Sequence, residues 1–136
     1  PCPQEVARAI EGEGADAIVA ANTWLGMAMD MQSGKPAFDR VVAGLSGPAV
    51  FPLALRLVWQ VCGAVNIPVI GCGGVTAASD AAAMILAGAS AVEVGTAFFR
   101  DLNAGAEISR GLEEYVSRYS CSSLKDLKGL ARREGA

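Results

Sequence analysis

Apolar residues fall along this chain in four short, nearly continuous runs: Ala17–Ala21 (AIVAA), Val41–Leu45 (VVAGL), Pro68–Gly71 (PVIG) and Ala91–Gly95 (AVEVG). Aliphatic runs of this length without alternation predict parallel strands buried on both faces. Their centres recur roughly every 23 to 27 residues, the repeat of a strand–helix unit. Between them the apolar positions change to helical spacing. Gln4–Glu11 predicts a short helix with Pro3 near its first position. Pro52–Val65 sets Leu53, Leu57, Val58, Val61 and Val65 on one stripe. Ala77–Ala87 predicts another helix, with Thr76 as its N-cap, Asp80 in its early turns and Gly88 past its end. Ala104–Tyr119 predicts the last long helix, and Ser122–Arg133 a final short helix or an extended arm.

The stretch Trp24–Arg40 is too long for an ordinary strand-to-helix loop. Met27, Met29 and Met31 alternate there, and Gln32-Ser33-Gly34-Lys35 supplies turn residues. This predicts a β-hairpin of Met27–Met31 with Pro36–Asp39 above the strand ends. The methionines form either a packing or partner-binding face, or a core stripe under the hairpin.

An internal similarity supports the repeat. Gly14-Ala15-Asp16-Ala17 leads into the first run and Gly88-Ala89-Ser90-Ala91 into the last, which sets Asn22 opposite Thr96 just past the strand ends. Parallel α/β folds bind ligands at those carboxyl ends. The expected class is α/β, with about four βα units forming half of an eightfold (β/α)8 barrel; a segment of an open sheet is the alternative. Four strands cannot close such a barrel, and both sheet edges would be left unpaired. A partner half is therefore expected. The sequence opens on Pro1 rather than Met, which predicts that it is cut from a longer protein.

Composition narrows the chemistry. Hydrophobic residues make up 52% and charged ones 18%, so much of the chain expects burial. The net charge is −3 with no basic run, which argues against nucleic acid as a partner. No apolar stretch reaches the ~18–20 residues of a membrane span, and Arg56 interrupts the best candidate. There is no histidine, which excludes Ser-His-Asp catalysis and histidine metal ligands within the chain. Cys2, Cys62, Cys72 and Cys121 show no metal-ligand spacing and read as reduced cytoplasmic thiols.

Two loops carry the strongest chemical signal. Gly71-Cys72-Gly73-Gly74-Val75-Thr76 follows the third run and opens a helix; Gly95-Thr96-Ala97 follows the fourth. Such glycines let backbone N–H groups approach an anion, with a helix dipole behind them. Paired loops of this kind often build a phosphate site in eightfold barrels. Neither loop contains Lys or Arg, so a phosphate would rest on N–H groups, the Thr96 hydroxyl and helix dipoles, with Arg100 nearby. The plainer reading is that the glycines only make tight turns. Gly44-Leu45-Ser46-Gly47-Pro48 is a third Gly-rich exit, suited to a flat ring or simply to a turn. Asn22-Thr23 offers amide and hydroxyl groups to a small polar planar ligand, or serves as a local cap. Glu93 stands mid-strand among apolar residues, either buried and functional or turned outward.

Taken together, NTWLGMAMD, GKPAF, AGLSGPAVFPLALRLVWQV, IPVIGCGGV and AGASAVEVGTAFF resemble dihydroorotate dehydrogenase, most closely its class 1B form, from about Glu5 to Leu130. The resemblance implies that residues 1–136 are the C-terminal half of a single FMN-binding (β/α)8 TIM-barrel domain whose N-terminal half is absent. It implies FMN-dependent oxidation of dihydroorotate to orotate in pyrimidine synthesis. By position, Ala21 would meet the flavin through its backbone, Asn22 and Thr23 would hold orotate, and Gly47 would lie beside FMN. Gly73, Gly74, Gly95 and Thr96 would hold the FMN phosphate. The family's catalytic cysteine and flavin-supporting lysine have no counterpart here, so the catalytic base is expected outside this chain. The class also implies a cytoplasmic homodimer joined to an electron-transfer subunit that carries FAD and an iron–sulfur cluster and uses NAD. The rival readings are the FMN domain of a dihydropyrimidine dehydrogenase, another barrel enzyme gripping a phosphorylated substrate, and a non-catalytic phosphate-binding half-barrel.

Overall fold

The structure, a computed structural model, describes residues 2–133; the expectations that touch Pro1 and residues 134–136 lie outside the described residues. Helix α1 (Pro3–Gly12) starts on a proline whose missing N–H costs nothing in the first turn. It buries Ala7, and the Glu11 carboxylate accepts from the N–H groups of Asn66 (2.8 Å) and Ile67 (3.1 Å). Strand β1 (Ile18–Ala20) follows. Strands β2 (Trp24–Met27), β3 (Met29–Asp30), β4 (Lys35–Pro36) and β5 (Val42–Leu45) form a β-ribbon: β2 pairs antiparallel with β5, and β3 with β4. A 3-10 turn (Pro48–Val50) leads into α2 (Phe51–Cys62), then come β6 (Val69–Cys72), α3 (Ala78–Leu86) and β7 (Ala91–Glu93). A second 3-10 turn (Thr96–Phe99), α4 (Ala104–Arg118), α5 (Leu124–Leu127) and α6 (Leu130–Arg133) complete the described chain.

The main sheet has three parallel strands in the order β1-β6-β7, in register Ile18↔Val69, Ala20↔Gly71 and Cys72↔Glu93. The helices cover one face. There Val69 packs with Ala54, Val58, Val61, Ala81, Met84, Ile85, Ile108 and Leu112. A Cβ on Gly71 would lie 3.0 Å from Met84 Sδ, so the glycine gives the Met84 side chain of α3 close access to the strand. The opposite face, with Val19 50% exposed, is not covered by any helix of the described residues.

Two expectations change here. Val41–Leu45 is not a fourth parallel strand. β1 and β6 are direct neighbours, leaving no place between them, and Val42–Leu45 folds back onto Trp24–Met27. Four aliphatic residues read alike as a buried strand or as one arm of an open ribbon. The described residues thus hold three parallel strands where about four βα units were expected. The hairpin exists, but its paired segments are Met29–Asp30 with Lys35–Pro36, and the ribbon continues below them through β2 and β5. Met27, Met29 and Met31 are 54%, 49% and 88% exposed, so they do not form a core stripe. The turn is held by Asp30, whose carboxylate accepts from Ser33 Oγ (2.6 Å) and the Gln32 N–H (2.9 Å); these bonds lower its pKa below the ordinary value.

The capping of α3 also differs from expectation. Ala77 takes the N-cap position, and Asp80 does the capping: its carboxylate accepts from the N–H groups of Thr76 (2.9 Å) and Ala77 (3.0 Å) and from the Thr76 hydroxyl (3.0 Å). Ser122–Arg133 forms two short helices rather than one. Arg132 on the second ties the bundle: Nη1 donates to the carbonyls of Trp59 (2.7 Å) and Ala87 (3.1 Å), and the guanidinium stacks 4.3 Å from the Trp59 ring centroid.

Candidate functional site

A cavity of about 600 Å³ opens at the carboxyl ends of β1, β6 and β7 and beneath the base of the ribbon. All eight residues singled out in the sequence line it. Ala21, Asn22 and Thr23 follow β1; Gly47 follows β5; Gly73 and Gly74 follow β6; Gly95 and Thr96 follow β7. The volume is within the range of small-molecule and cofactor sites.

The N–H of Ala21 donates to the Cys72 carbonyl (3.0 Å), which leaves its own carbonyl as the polar group it can turn to a ligand. Asn22 Oδ1 accepts from the Thr23 N–H (2.7 Å) and hydroxyl (3.3 Å), so the acceptor of the amide is used locally and its two N–H donors remain. A Cβ on Gly44 would collide with Thr23 Oγ1, so the bare backbone of β5 is what lets the Thr23 side chain stand there.

The two glycine loops are shaped by the helix layer as much as by the cavity. Gly74 has φ +74°, and a Cβ there would lie 2.6 Å from Phe51 N and 2.8 Å from Phe51 Cα, at the start of α2. A Cβ on Gly73 would meet Ala54 at 3.0 Å. These glycines therefore seat the loop against α2; their missing side chains would not point at an anion. Gly95 differs, because a Cβ there would meet no atom within 4 Å. Among the described residues, no hydrogen bond uses the N–H of Gly73, Gly74, Gly95 or Thr96. These are free donors at one cavity wall, which fits a phosphate group. Arg100 does not line this cavity; it faces a neighbouring one with Asp101 and Glu107.

Among the described residues, Glu93 is the one charged residue on the cavity wall, exposed toward it and opposite Cys72 in the sheet register. The Cys72 thiol has its pKa raised above the ordinary value, first by burial and then by its hydrogen bond to Glu93 and the charge of that carboxylate. Cys72 therefore holds its proton near neutral pH and is a poor nucleophile there. Ser46 escaped the sequence reading, yet it also lines the cavity, and its Oγ accepts from Thr96 Oγ1 at 2.9 Å. The available signal was a hydroxyl residue beside Gly47 at a strand exit. Trp24, Leu45, Val50 and Phe99 add apolar wall. No helix of the described residues is long and apolar enough to cross a membrane.

Comparison with known proteins places these features in a family. The family described as Dihydroorotate dehydrogenase matches residues 3–116. A relative from Desulforamulus reducens, named "Dihydroorotate dehydrogenase B (NAD(+)), catalytic subunit", is 51% identical over 127 residues, 93% of this chain and 42% of its own length. Proteins of the same name from Porphyromonas gingivalis and Pelobacter propionicus are 48% and 49% identical, over 92% and 91% of this chain and 41% of each relative. The chain thus spans about two fifths of the length of the curated relatives it matches. Among solved structures, DHODH from Eimeria tenella, in complex with ferulenol, superposes with a TM-score of 0.79 at 25% identity, covering 96% of this chain and 35% of that one.

Proposed function

Because this chain belongs to the dihydroorotate dehydrogenase family, we propose that it supplies the cofactor-phosphate clamp and part of the substrate site of an enzyme that oxidises dihydroorotate to orotate with FMN. The observation that carries this reading is the convergence of Asn22, Thr23, Gly47, the two glycine loops and Thr96 on one cavity, at the ends of three adjacent parallel strands and of the ribbon strand β5. Bound FMN would supply the acceptor for the hydride that leaves dihydroorotate.

The residues of this chain do the holding. The free N–H groups of Gly73, Gly74, Gly95 and Thr96 meet the phosphate, without a basic side chain on the wall. The Asn22 amide presents its N–H pair to the carbonyl or carboxylate oxygens of the pyrimidine, and Thr23 fixes the amide in that orientation. Apolar Trp24, Leu45 and Val50 keep water from the ring system. Cys72 keeps its own proton and does not serve as the base. The base is assigned to the remainder of the barrel, the N-terminal half in this reading. The relatives' name, with its "catalytic subunit" and NAD(+), supports assembly with a separate electron-transfer subunit.

The test is made on the complete protein. Asn22→Ala should retain FMN but bind orotate about 5- to 150-fold more weakly, the worth of roughly 1–3 kcal/mol of buried polar contact. An unchanged orotate dissociation constant would remove Asn22 from the substrate site, and a colourless wild-type protein would remove FMN.

A further inference from the structure

We propose that Ser46 is a positioning residue of the cofactor site, closing the ribbon exit onto the loop after β7 through its hydroxyl bond with Thr96; this rests on the FMN reading above. Thr96 Oγ1 and Ser46 Oγ lie 2.9 Å apart across 50 residues of chain. The two residues follow strands that share no ladder, Ser46 after β5, which pairs with β2, and Thr96 after β7, which pairs with β6. The next residue, Gly47, is buried and close to the same partner: a Cβ on it would sit 3.5 Å from Thr96 Cγ2. Ser46, Gly47, Gly95 and Thr96 all line the same cavity.

The chemistry of a hydroxyl pair explains what the bond achieves. Each hydroxyl carries one donor and two acceptor sites, so a single bond between them leaves one proton free for a third group. With Thr96 donating to Ser46, the spare proton is that of Ser46, and what the bond fixes for the ligand is the Thr96 backbone with its neighbouring N–H groups while the ribbon exit is drawn in. The Gly95–Thr96 wall is then presented to the phosphate already ordered, and the ordering cost is not charged against binding. Ser46 acts through Thr96 and needs no contact with the phosphate. Its side chain is exposed in the described residues, so removing the hydroxyl leaves the core untouched.

The experiment titrates FMN and riboflavin into the flavin-free complete protein. The proteins are wild type, Ser46→Ala, Ser46→Thr, Thr96→Val and the Ser46→Ala/Thr96→Val double variant. Riboflavin lacks the phosphate and reports the ring site alone. Ser46→Ala should weaken FMN roughly 3- to 10-fold, as expected for one lost neutral hydrogen bond. Riboflavin affinity should change by less than about 2-fold, and the double variant should match Thr96→Val within the same margin, because the two hydroxyls act as one unit. Ser46→Thr should restore FMN affinity. Wild-type FMN affinity in Ser46→Ala, equal weakening of both flavins, or multiplication of the two single effects would each overturn the inference. A wild-type protein that binds FMN no better than riboflavin would overturn the phosphate clamp itself, and the positioning role with it.

Discussion

Replacing Gly74 with alanine separates what the glycine loop does for the fold from what it does for a ligand. The new methyl would lie 2.6 Å from Phe51 N and 2.8 Å from Phe51 Cα, both backbone atoms at the first turn of α2. A backbone contact of this kind is relieved only by moving the loop or the helix, which costs about 1–3 kcal/mol by analogy with overpacked cores. Alanine at φ +74° adds about 1–2 kcal/mol of left-handed backbone strain. The stiffer unfolded chain returns about 0.4–1 kcal/mol. The net expectation is a loss of about 1–5 kcal/mol. Gly95→Ala is the control, since its methyl meets no atom within 4 Å and its φ is −120°; its stability should stay within about 0.5 kcal/mol of wild type. Both variants should lose flavin, Gly74→Ala by displacing the loop and Gly95→Ala by filling space beside the free N–H groups. Urea unfolding of the flavin-free complete protein, followed by circular dichroism, measures the first effect; flavin released on denaturation measures the second. A Gly74→Ala protein with the wild-type midpoint and slope would refute the claim that the loop is wedged against α2.

Three further outcomes are expected. Glu93→Gln removes both the charge and the carboxylate acceptor that raise the Cys72 pKa, while the larger burial effect remains; alkylation of Cys72 by iodoacetamide at mildly alkaline pH should therefore speed up in the variant, and an unchanged rate would show that the carboxylate does not reach the thiol. Arg132→Ala should cost about 2–4 kcal/mol through two lost carbonyl bonds and the Trp59 stack, and Arg132→Lys should recover little of it because an ammonium cannot bridge both carbonyls while stacking; full recovery in a thermal melt would rule out the bridging role. Residues 1–136 alone, given FMN and an artificial electron acceptor, should form no measurable orotate, because a missing general base removes about 10²–10⁴-fold in rate; turnover matching the complete protein would place the base inside this chain.

The helices were legible because each declares itself by several independent signs. α2 has its apolar stripe and a proline in its first turn, and α4 begins within one residue of its expected place. The strands β1, β6 and β7 were legible as aliphatic runs between helices, and the cavity followed from what stands after each of them. The ribbon arm β5 was misread because an aliphatic run records burial potential and says nothing about partner or direction. Which neighbour it takes depends on the bare backbone of Gly44 against Thr23. The capping role of Asp80 was hidden for a related reason: a carboxylate in a first turn signals a dipole contact, while its reach back to Thr76 and Ala77 is a matter of rotamer. Ser46 was hidden because its partner lies 50 residues away.

The sheet register also carries an order of assembly. Ile70 and Ala91, paired in β6 and β7, are 21 positions apart, whereas Ile18 and Val69, paired in β1 and β6, are 51 apart. Loop-closure entropy makes the longer closure dearer by about 0.8 kcal/mol, and the α3 connection between β6 and β7 forms locally. The β6–α3–β7 unit is therefore expected to condense first, with the ribbon still unpaired from it. That unit carries the residues of one glycine loop and leads directly into the other, so their backbone is brought together before Asn22 and Thr23 arrive with β1, while α2 and Ser46 set it in place afterwards. In the proposed reading, a growing or refolding chain would thus bring together its phosphate-facing loops before its pyrimidine-facing residues.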